Sequence, residues 1–232
     1  MIGSLAVKLG TVITLPDVAL AELTASAVDF VWIDLEHGAI DRGDVSPLAI
    51  AARAGGAECF VRLGGPHDPA LGPVLDAGVD GVVVPRVEEA AEAELVVTRL
   101  RYPPRGLRGI AARRASGYGL HQLAGEPRCV VQIESEAGAA EAGRIAAVDG
   151  VEALVVGCAD LAARTADVRD AVDRIHAACE AAGVELGIAG PDDPGLLGEL
   201  APAPPDLAVL GADVRIYARA LSERFEEAHV GA

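Results

Sequence analysis

Residues 30–63 read FVWIDLEHGAIDRGDVSPLAIAARAGGAECFVRL. An apolar run rich in aromatic and β-branched residues, Phe30 to Leu35, ends in Asp34-Leu35-Glu36-His37-Gly38. An alanine-rich stretch follows at 45–54, and a second apolar run, Cys59 to Leu63, completes the unit. Strand, helix and strand in this order are the mark of a parallel βαβ unit. The alternation continues in both directions. Further strands are predicted at Thr11 to Leu15, Gly81 to Val84, Cys129 to Ile133, Ala153 to Val156, Val184 to Ala189 and Leu207 to Leu210. Further helices are predicted near 17–27, 69–77, 88–100, 136–147, 167–182, 192–200 and 214–228. Eight strands alternating with helices, with no linker or break in composition, make one (β/α)₈ barrel over residues 1–232 the economical reading.

Composition agrees with that reading and removes other classes. The chain has 232 residues, 51% hydrophobic and 23% charged, so it has apolar material for a large core and is far from the composition of disorder. Its 19 basic residues against 35 acidic ones give a net charge of −16, a field that repels polyanions and argues against a nucleic-acid partner. Lys8 is the only lysine and precedes the first predicted strand, on the amino-terminal side of the barrel. A Schiff-base mechanism, which needs an amine in the pocket, is therefore poorly served. Cys59, Cys129, Cys158 and Cys179 form no C-x-x-C pair, which argues against a disulfide framework or a thiolate metal site. Ala25-Ser26-Ala27 imitates a signal-cleavage site, but Pro16, Asp17 and Glu22 interrupt the apolar stretch before it, and no run approaches membrane-spanning length. A reduced cytoplasmic protein without membrane segments is expected.

In a parallel barrel the active site is built at the carboxyl ends of the strands. Four strand ends carry informative polar groups here: Asp34 to His37, Arg62, Gln132 to Glu134, and Gly157-Cys158-Ala159-Asp160. Glu134 and Asp160 are hard oxygen ligands on adjacent strands, a pair suited to Mg²⁺ or Mn²⁺ that takes the rest of its shell from water and a 2-oxo acid. Their alternative roles are helix capping or pairing with arginine. Arg62 can bind a carboxylate or enolate oxygen with its planar fork, or form an ion pair within the barrel mouth. Asp34 can orient His37 for proton transfer; a hydrogen-bonded structural histidine is the alternative. His67, His121, His176 and His229 fall in predicted loops or helices. The segment Arg101 to Pro127, rich in glycine and arginine, is long for a connection and is a candidate lid, subunit contact or plain surface excursion. Gly187-Ile188-Ala189-Gly190 and Gly211 follow the last two strands, where barrels often hold phosphate, so a phosphate-binding isomerase stays open.

The ordered segments Phe30 to Gly38, Val61-Arg62, Leu75-Asp76-Ala77-Gly78, Gly81 to Pro85, Arg101 to Gly109, Val131 to Glu134 and Gly157 to Leu161 resemble the motifs of the HpcH/HpaI aldolase family from about residue 10 to 225. The resemblance implies a (β/α)₈ (TIM) barrel whose C-terminal helix is exchanged with a neighbouring subunit, in a homohexamer built as a trimer of dimers. It also implies a divalent metal, Mg²⁺, Mn²⁺ or Co²⁺, on Glu134 and Asp160. Arg62 then faces the enolate of pyruvate, Gln132 lies beside the metal, and the backbone of Gly157, Cys158, Ala159 and Asp160 holds the carboxylate. Asp34 and His37 manage the proton through a water, and Asp76, fourteen residues after Arg62, is supplied to the neighbouring subunit's site. The implied reaction is reversible cleavage of a 4-hydroxy-2-oxo acid to pyruvate and an aldehyde through a metal-bound enolate. A citrate-synthase-like or decarboxylating use of the same enolate is the rival.

This chain departs from the family pattern at Cys158, where proline is usual, at Ala162 for serine, and at Val12, where many members carry tryptophan. The connection after Asp160 is also short. Cys158 is either a reactive thiol or a small buried replacement. These changes bear on the aldehyde partner more than on the enolate chemistry.

Overall fold

The computed structural model describes residues 7–120, 125–190, 197–200 and 202–230. Eight strands close a barrel in sequence order, each parallel to its neighbours. They are β1 (Lys8–Ile13), β2 (Phe30–Asp34), β3 (Glu58–Arg62), β4 (Gly81–Val84), β5 (Arg128–Ile133), β6 (Val151–Gly157), β7 (Glu185–Ala189) and β8 (Leu207–Ala212). The helices are α1 (Val18–Ala25), α2 (Val45–Gly55), α3 (Leu71–Asp76), α4 (Ala90–Leu100), α5 (Glu136–Ala146), α6 (Cys158–Arg164), α7 (Val168–Ala182), α8 (Leu197–Leu200) and α9 (Asp213–Val230).

Three elements differ from their predicted positions. The first strand begins at Lys8 and ends at Ile13, so Lys8 lies in the strand, at its amino-terminal end, rather than ahead of it. The Gly157-to-Asp160 strand end turns at once into α6, which puts Asp160 in a helical first turn. The predicted helix at 192–200 is helical at Leu197–Leu200; residues 192–196, like His121, lie outside the described residues. The Arg101-to-Pro127 segment joins the end of α4 to the start of β5. Connections of that sense run along the amino-terminal face of a barrel, away from the catalytic face. The segment is therefore not a lid over its own barrel mouth.

Strand alternation sorts the side chains into two cores. Val31, Ile33, Cys59, Val61, Val131, Ile133, Leu154 and Val156 point outward and pack with the helices. Phe30, Trp32, Phe60, Val83, Val130 and Val155 fill the interior. Phe30 and Phe60 meet edge to face with centroids 5.9 Å apart. A Cβ at Gly81 would come within 2.6 Å of the Phe60 ring, so only glycine leaves room for it at that level. The apolar fill stops below the carboxyl ends of the strands, and polar side chains take over there.

Candidate active site

Continuing the inward alternation past the apolar fill brings Asp34 after Trp32, Arg62 after Phe60, Gln132 after Val130 and Gly157 after Val155. Register does the rest. Asp34 and Arg62 are direct partners across β2 and β3, so their side chains emerge side by side. Arg62 donates from Nε to Asp34 Oδ1 at 2.9 Å and from Nη2 to Oδ2 at 2.7 Å. This fork-on-fork pair is the charge-assisted geometry arginine favours. Arg62 Nη1 remains on the side of Glu36, 3.5 Å from its Oε2. Burial disfavours the Arg62 cation, but Asp34, Glu36 and Glu134 outweigh it and raise its pKa.

Asp34 meets His37 differently from the imidazole-orienting contact expected of it. Asp34 Oδ1 accepts from the backbone N–H of Glu36 at 3.0 Å and of His37 at 3.3 Å. With both oxygens also holding Arg62, the carboxylate fixes the main chain beneath His37. The His37 imidazole instead has Nε2 3.8 Å from Glu36 Oε2, and its side chain is 66% exposed.

Glu134 follows the last residue of β5, and Ser135 caps α5 by accepting from Gly138 N–H at 3.1 Å. Capping is thus done by Ser135, and Glu134 is free to turn inward. Its Oε1 accepts from Gln132 Nε2 at 2.7 Å, and its Oε2 accepts from the Arg86 backbone N–H at 3.1 Å. A Cβ at Gly157 would lie 2.7 Å from both Gln132 Nε2 and Glu134 Cγ, so this glycine makes the space in which the pair sits. Burial pushes the Glu134 carboxyl up to about 7, with Glu36 and Asp160 adding to the rise and Arg62 and the Arg86 N–H opposing it. Asp160 is half-exposed and lies 3.2 Å from Arg164, one helical turn on. Burial raises the Cys158 thiol to about 11, which keeps it protonated and favours the small-replacement reading over the reactive one.

One cavity of about 380 Å³ gathers these groups. Asp34, His37, Arg62, Gln132, Gly157, Cys158, Ala159 and Asp160 all line it, with Trp32, Val12 and Val209 on its apolar side. Glu134 lies beneath, 4% exposed. Asp76 is not brought here; it ends α3 on the amino-terminal side, beside Arg99 and Arg108.

A divalent cation fits this mouth. Glu134 and Asp160 supply two hard oxygen donors, Asp160 adding to the rise of the Glu134 pKa, and the buried Gln132 Oε1 has no hydrogen-bond partner. Among the described residues no cluster of three His, Cys, Asp or Glu stands ready as a complete cage. Two carboxylates plus water and substrate oxygens are what Mg²⁺ or Mn²⁺ commonly takes.

Sequence reasoning gave no role to Glu36 and Arg86. Glu36 is nearly buried between Arg62 and Arg86, whose Nε is 3.4 Å away. Arg86 adopts φ 59, rare outside glycine; its guanidinium also donates to the Gly64 carbonyl. Glu36 sits inside the Asp34-to-Gly38 motif, so its signal was present; Arg86, two residues past β4, carried only its strand-end position. Asp213 is also structural here. It opens α9 and accepts from the backbone N–H groups of Thr14 at 2.9 Å and Leu15 at 3.1 Å, closing the barrel seam between β8 and β1.

The profile of the HpcH/HpaI aldolase/citrate lyase family matches residues 16–193. A hydroxypyruvate/pyruvate aldolase of Rhizorhabdus wittichii is 37% identical over 224 residues, covering 87% of each chain. Among solved structures, an HpcH/HpaI aldolase/citrate lyase family protein of Burkholderia cenocepacia superposes with a TM-score of 0.88 at 32% identity, over 96% of this chain and 94% of its own. The citrate synthase SbnG superposes with a TM-score of 0.83 at 27% identity, over 97% and 94%.

Proposed function

The chain belongs to the HpcH/HpaI aldolase/citrate lyase family and is a carbon–carbon lyase; from that premise we propose that it is a divalent-metal-dependent aldolase that reversibly cleaves a 4-hydroxy-2-oxo acid to pyruvate and an aldehyde. The observation that carries this reading is the barrel mouth, where one cavity collects Arg62, His37 and Asp160 above the buried carboxyl of Glu134.

Glu134 and Asp160 are assigned the cation, with Gln132 beside them. When bound, Mg²⁺, Mn²⁺ or Co²⁺ supplies Lewis acidity to the oxygens of the 2-oxo acid. The backbone at Gly157, Cys158, Ala159 and Asp160 receives the substrate carboxylate, since N–H groups in a helix's first turn lack partners within the helix. Arg62, held by Asp34, puts a fixed positive charge where negative charge develops as the C3–C4 bond breaks. His37, steadied at its main chain by Asp34, takes the C4 hydroxyl proton through a water; a proton returned to C3 completes pyruvate. The apolar wall of Trp32, Val12 and Val209 receives the aldehyde portion.

Asp76 is assigned to the cavity of a neighbouring subunit, and α9 to exchange between subunits of a hexamer. Exposed Ile216, Tyr217 and Phe225 on α9 support the exchange. No helix among the described residues is long and apolar enough to cross a membrane, and four free cysteines support a cytoplasmic setting.

Proton NMR of pyruvate in D₂O tests the proposal. Chelator-treated protein should leave the methyl signal intact, and resupply of Mg²⁺, Mn²⁺ or Co²⁺ should bleach it by exchange. A folded protein that exchanges nothing with any of the three metals overturns pyruvate as the nucleophile. The likeness to SbnG keeps a synthase-type use of the same site as the second reading, and product analysis with aldehyde or oxo-acid acceptors separates the two.

A further inference from the structure

Away from the catalytic mouth, a second cavity of about 420 Å³ opens between the end of α3, the start of β4 and the described parts of the connection from α4 to β5, Tyr102 to Gly117 and Gly125 to Pro127. Arg53, Arg108 and Arg114 line it, and all three are held at the carboxyl end of α3. Arg108 Nη2 donates to the Leu75 carbonyl at 3.1 Å, and Arg114 Nη1 donates to Ala77 at 2.9 Å and Gly78 at 3.2 Å. Arg53 Nη2 shares the Gly78 oxygen at 3.3 Å, so two guanidinium groups sit within a few ångströms of one another. Holding the last carbonyls of a helix occupies one or two donors on each arginine, and a guanidinium has five.

Arginines meet carboxylates easily in a chain with 35 acidic residues, as Arg62, Arg101, Arg128 and Arg174 do. Arg108 and Arg114 have no carboxylate in ion-pairing contact among the described residues. Arg108 is 7% exposed, its guanidinium lies 4.5 Å over the Tyr102 ring, and its Nε has no hydrogen-bond partner. Burial lowers its pKa against the opposing influence of Tyr102 and Asp76. The two acids lining the cavity are already committed. Asp80 holds Arg53 at 3.1 Å and the Cys59 N–H at 2.9 Å, and Glu126 lies 2.5 Å from Arg105 and 3.6 Å from Arg101.

We propose that this cavity is a second ligand site, specific for a small oxyanion with a carboxylate or phosphate group. Arg108 and Arg114 grip the anion, Arg53 stands at the rim and the Tyr102 ring forms a wall. Its volume suits a small molecule, and it opens at the amino-terminal end of the strands, away from the catalytic mouth of the same chain. The buried Arg108, with a free Nε, and the half-buried Arg114, with no carboxylate in contact, are the arrangement that charge-assisted hydrogen bonds to oxyanions reward.

Chelator-treated full-length protein titrated with inorganic phosphate, and separately with citrate, against sodium chloride at equal ionic strength is the test, read by calorimetry and thermal unfolding. Saturable binding of at least one anion is expected; phosphate alone marks a phosphoryl ligand and citrate alone a polycarboxylate. Arg114→Gln and Arg53→Gln, both outside the core, should weaken it, the first by about tenfold. Arg62→Lys at the catalytic mouth should leave it unchanged. The proposal fails if neither anion exceeds chloride, or if binding is lost in Arg62→Lys but kept in Arg114→Gln, which puts the anion in the catalytic cavity. It fails also if Arg114→Gln changes the sedimenting mass, which makes the cavity a seat for an acidic segment of a second copy.

Discussion

Two charged clusters, one at each end of the strands, carry more carboxylates than they have cations in contact, yet only one has the makings of an active site. At the amino-terminal end Lys8 meets Glu58 at 3.1 Å, and Arg128 bridges Glu152 at 3.0 Å and Glu185. The three side chains there are each about 40% exposed or more, so water carries most of the surplus charge, with Glu58 Oε2 alone among their oxygens buried without a partner. At the carboxyl end Asp34 and Glu36 are nearly buried and Glu134 lies under the cavity floor. Burial, with the charges of Glu36 and Asp160 adding to it, raises the Glu134 pKa to about 7 and marks a place that a cation would relieve. Depth, rather than the number of charges, separates the catalytic end from the structural one.

The sharpest way to break this comparison is to remove a carboxylate from each end. Glu134→Ala or Asp160→Ala should lower metal-dependent turnover by roughly 10³-fold or more while the barrel still melts cooperatively. Glu58→Ala at the other end should leave turnover within about twofold, as surface substitutions remote from a site usually do. Undiminished turnover of Glu134→Ala or Asp160→Ala after metal removal would end the metal-dependent assignment. Arg62→Lys ranks next. It keeps the charge but loses the fork that holds Asp34, and steady-state kinetics should show kcat down by about 10²-fold.

The polar strand ends were legible because a parallel barrel puts chemistry at one predictable end of its strands. Asp34, Arg62, Gln132 and the Gly157-to-Asp160 stretch could therefore be chosen from position and residue type. Partnership was less legible. Asp34 stands three residues before His37 in sequence but is paired with Arg62 by the β2–β3 register, and register is fixed by the closed sheet rather than by local spacing. Glu36 and Arg86 were missed for the same reason: their bridge links two loops that only closure of the barrel brings together. For the Arg101-to-Pro127 segment the sequence leaves a lid, a subunit contact and a surface excursion open, and its place between α4 and β5 removes only the lid over its own mouth.

Arg128→Met separates structural from catalytic charge at a smaller scale. Its guanidinium lies 5.7 Å from the Phe60 ring centroid and serves two carboxylates. Its loss should cost about 1–2 kcal/mol in urea unfolding, after allowance for the exposure of both partners. Turnover per folded molecule should not change. A matching loss of turnover would show that the amino-terminal end is coupled to the mouth.

The pH dependence of stability is the most diagnostic of buried charge at the mouth. Glu134 has a folded pKa of about 7 against an ordinary 4.5, so between those values the folded chain binds more protons than the unfolded one. Stability contributed by this group is present below the ordinary value and is lost as pH rises through about 7. Metal-free protein should therefore lose stability over that window, and Glu134→Gln, which has nothing there to ionise, should flatten the loss. Saturating Mg²⁺ or Mn²⁺ should reverse the slope in the parent protein, because the cation binds the ionised carboxylate and displaces its proton. Thermal melts across pH with and without metal read both signs directly. Equal slopes in parent and Glu134→Gln would mean that the surplus charge at the mouth is relieved by water after all, and the distinction between the two ends of the barrel would collapse.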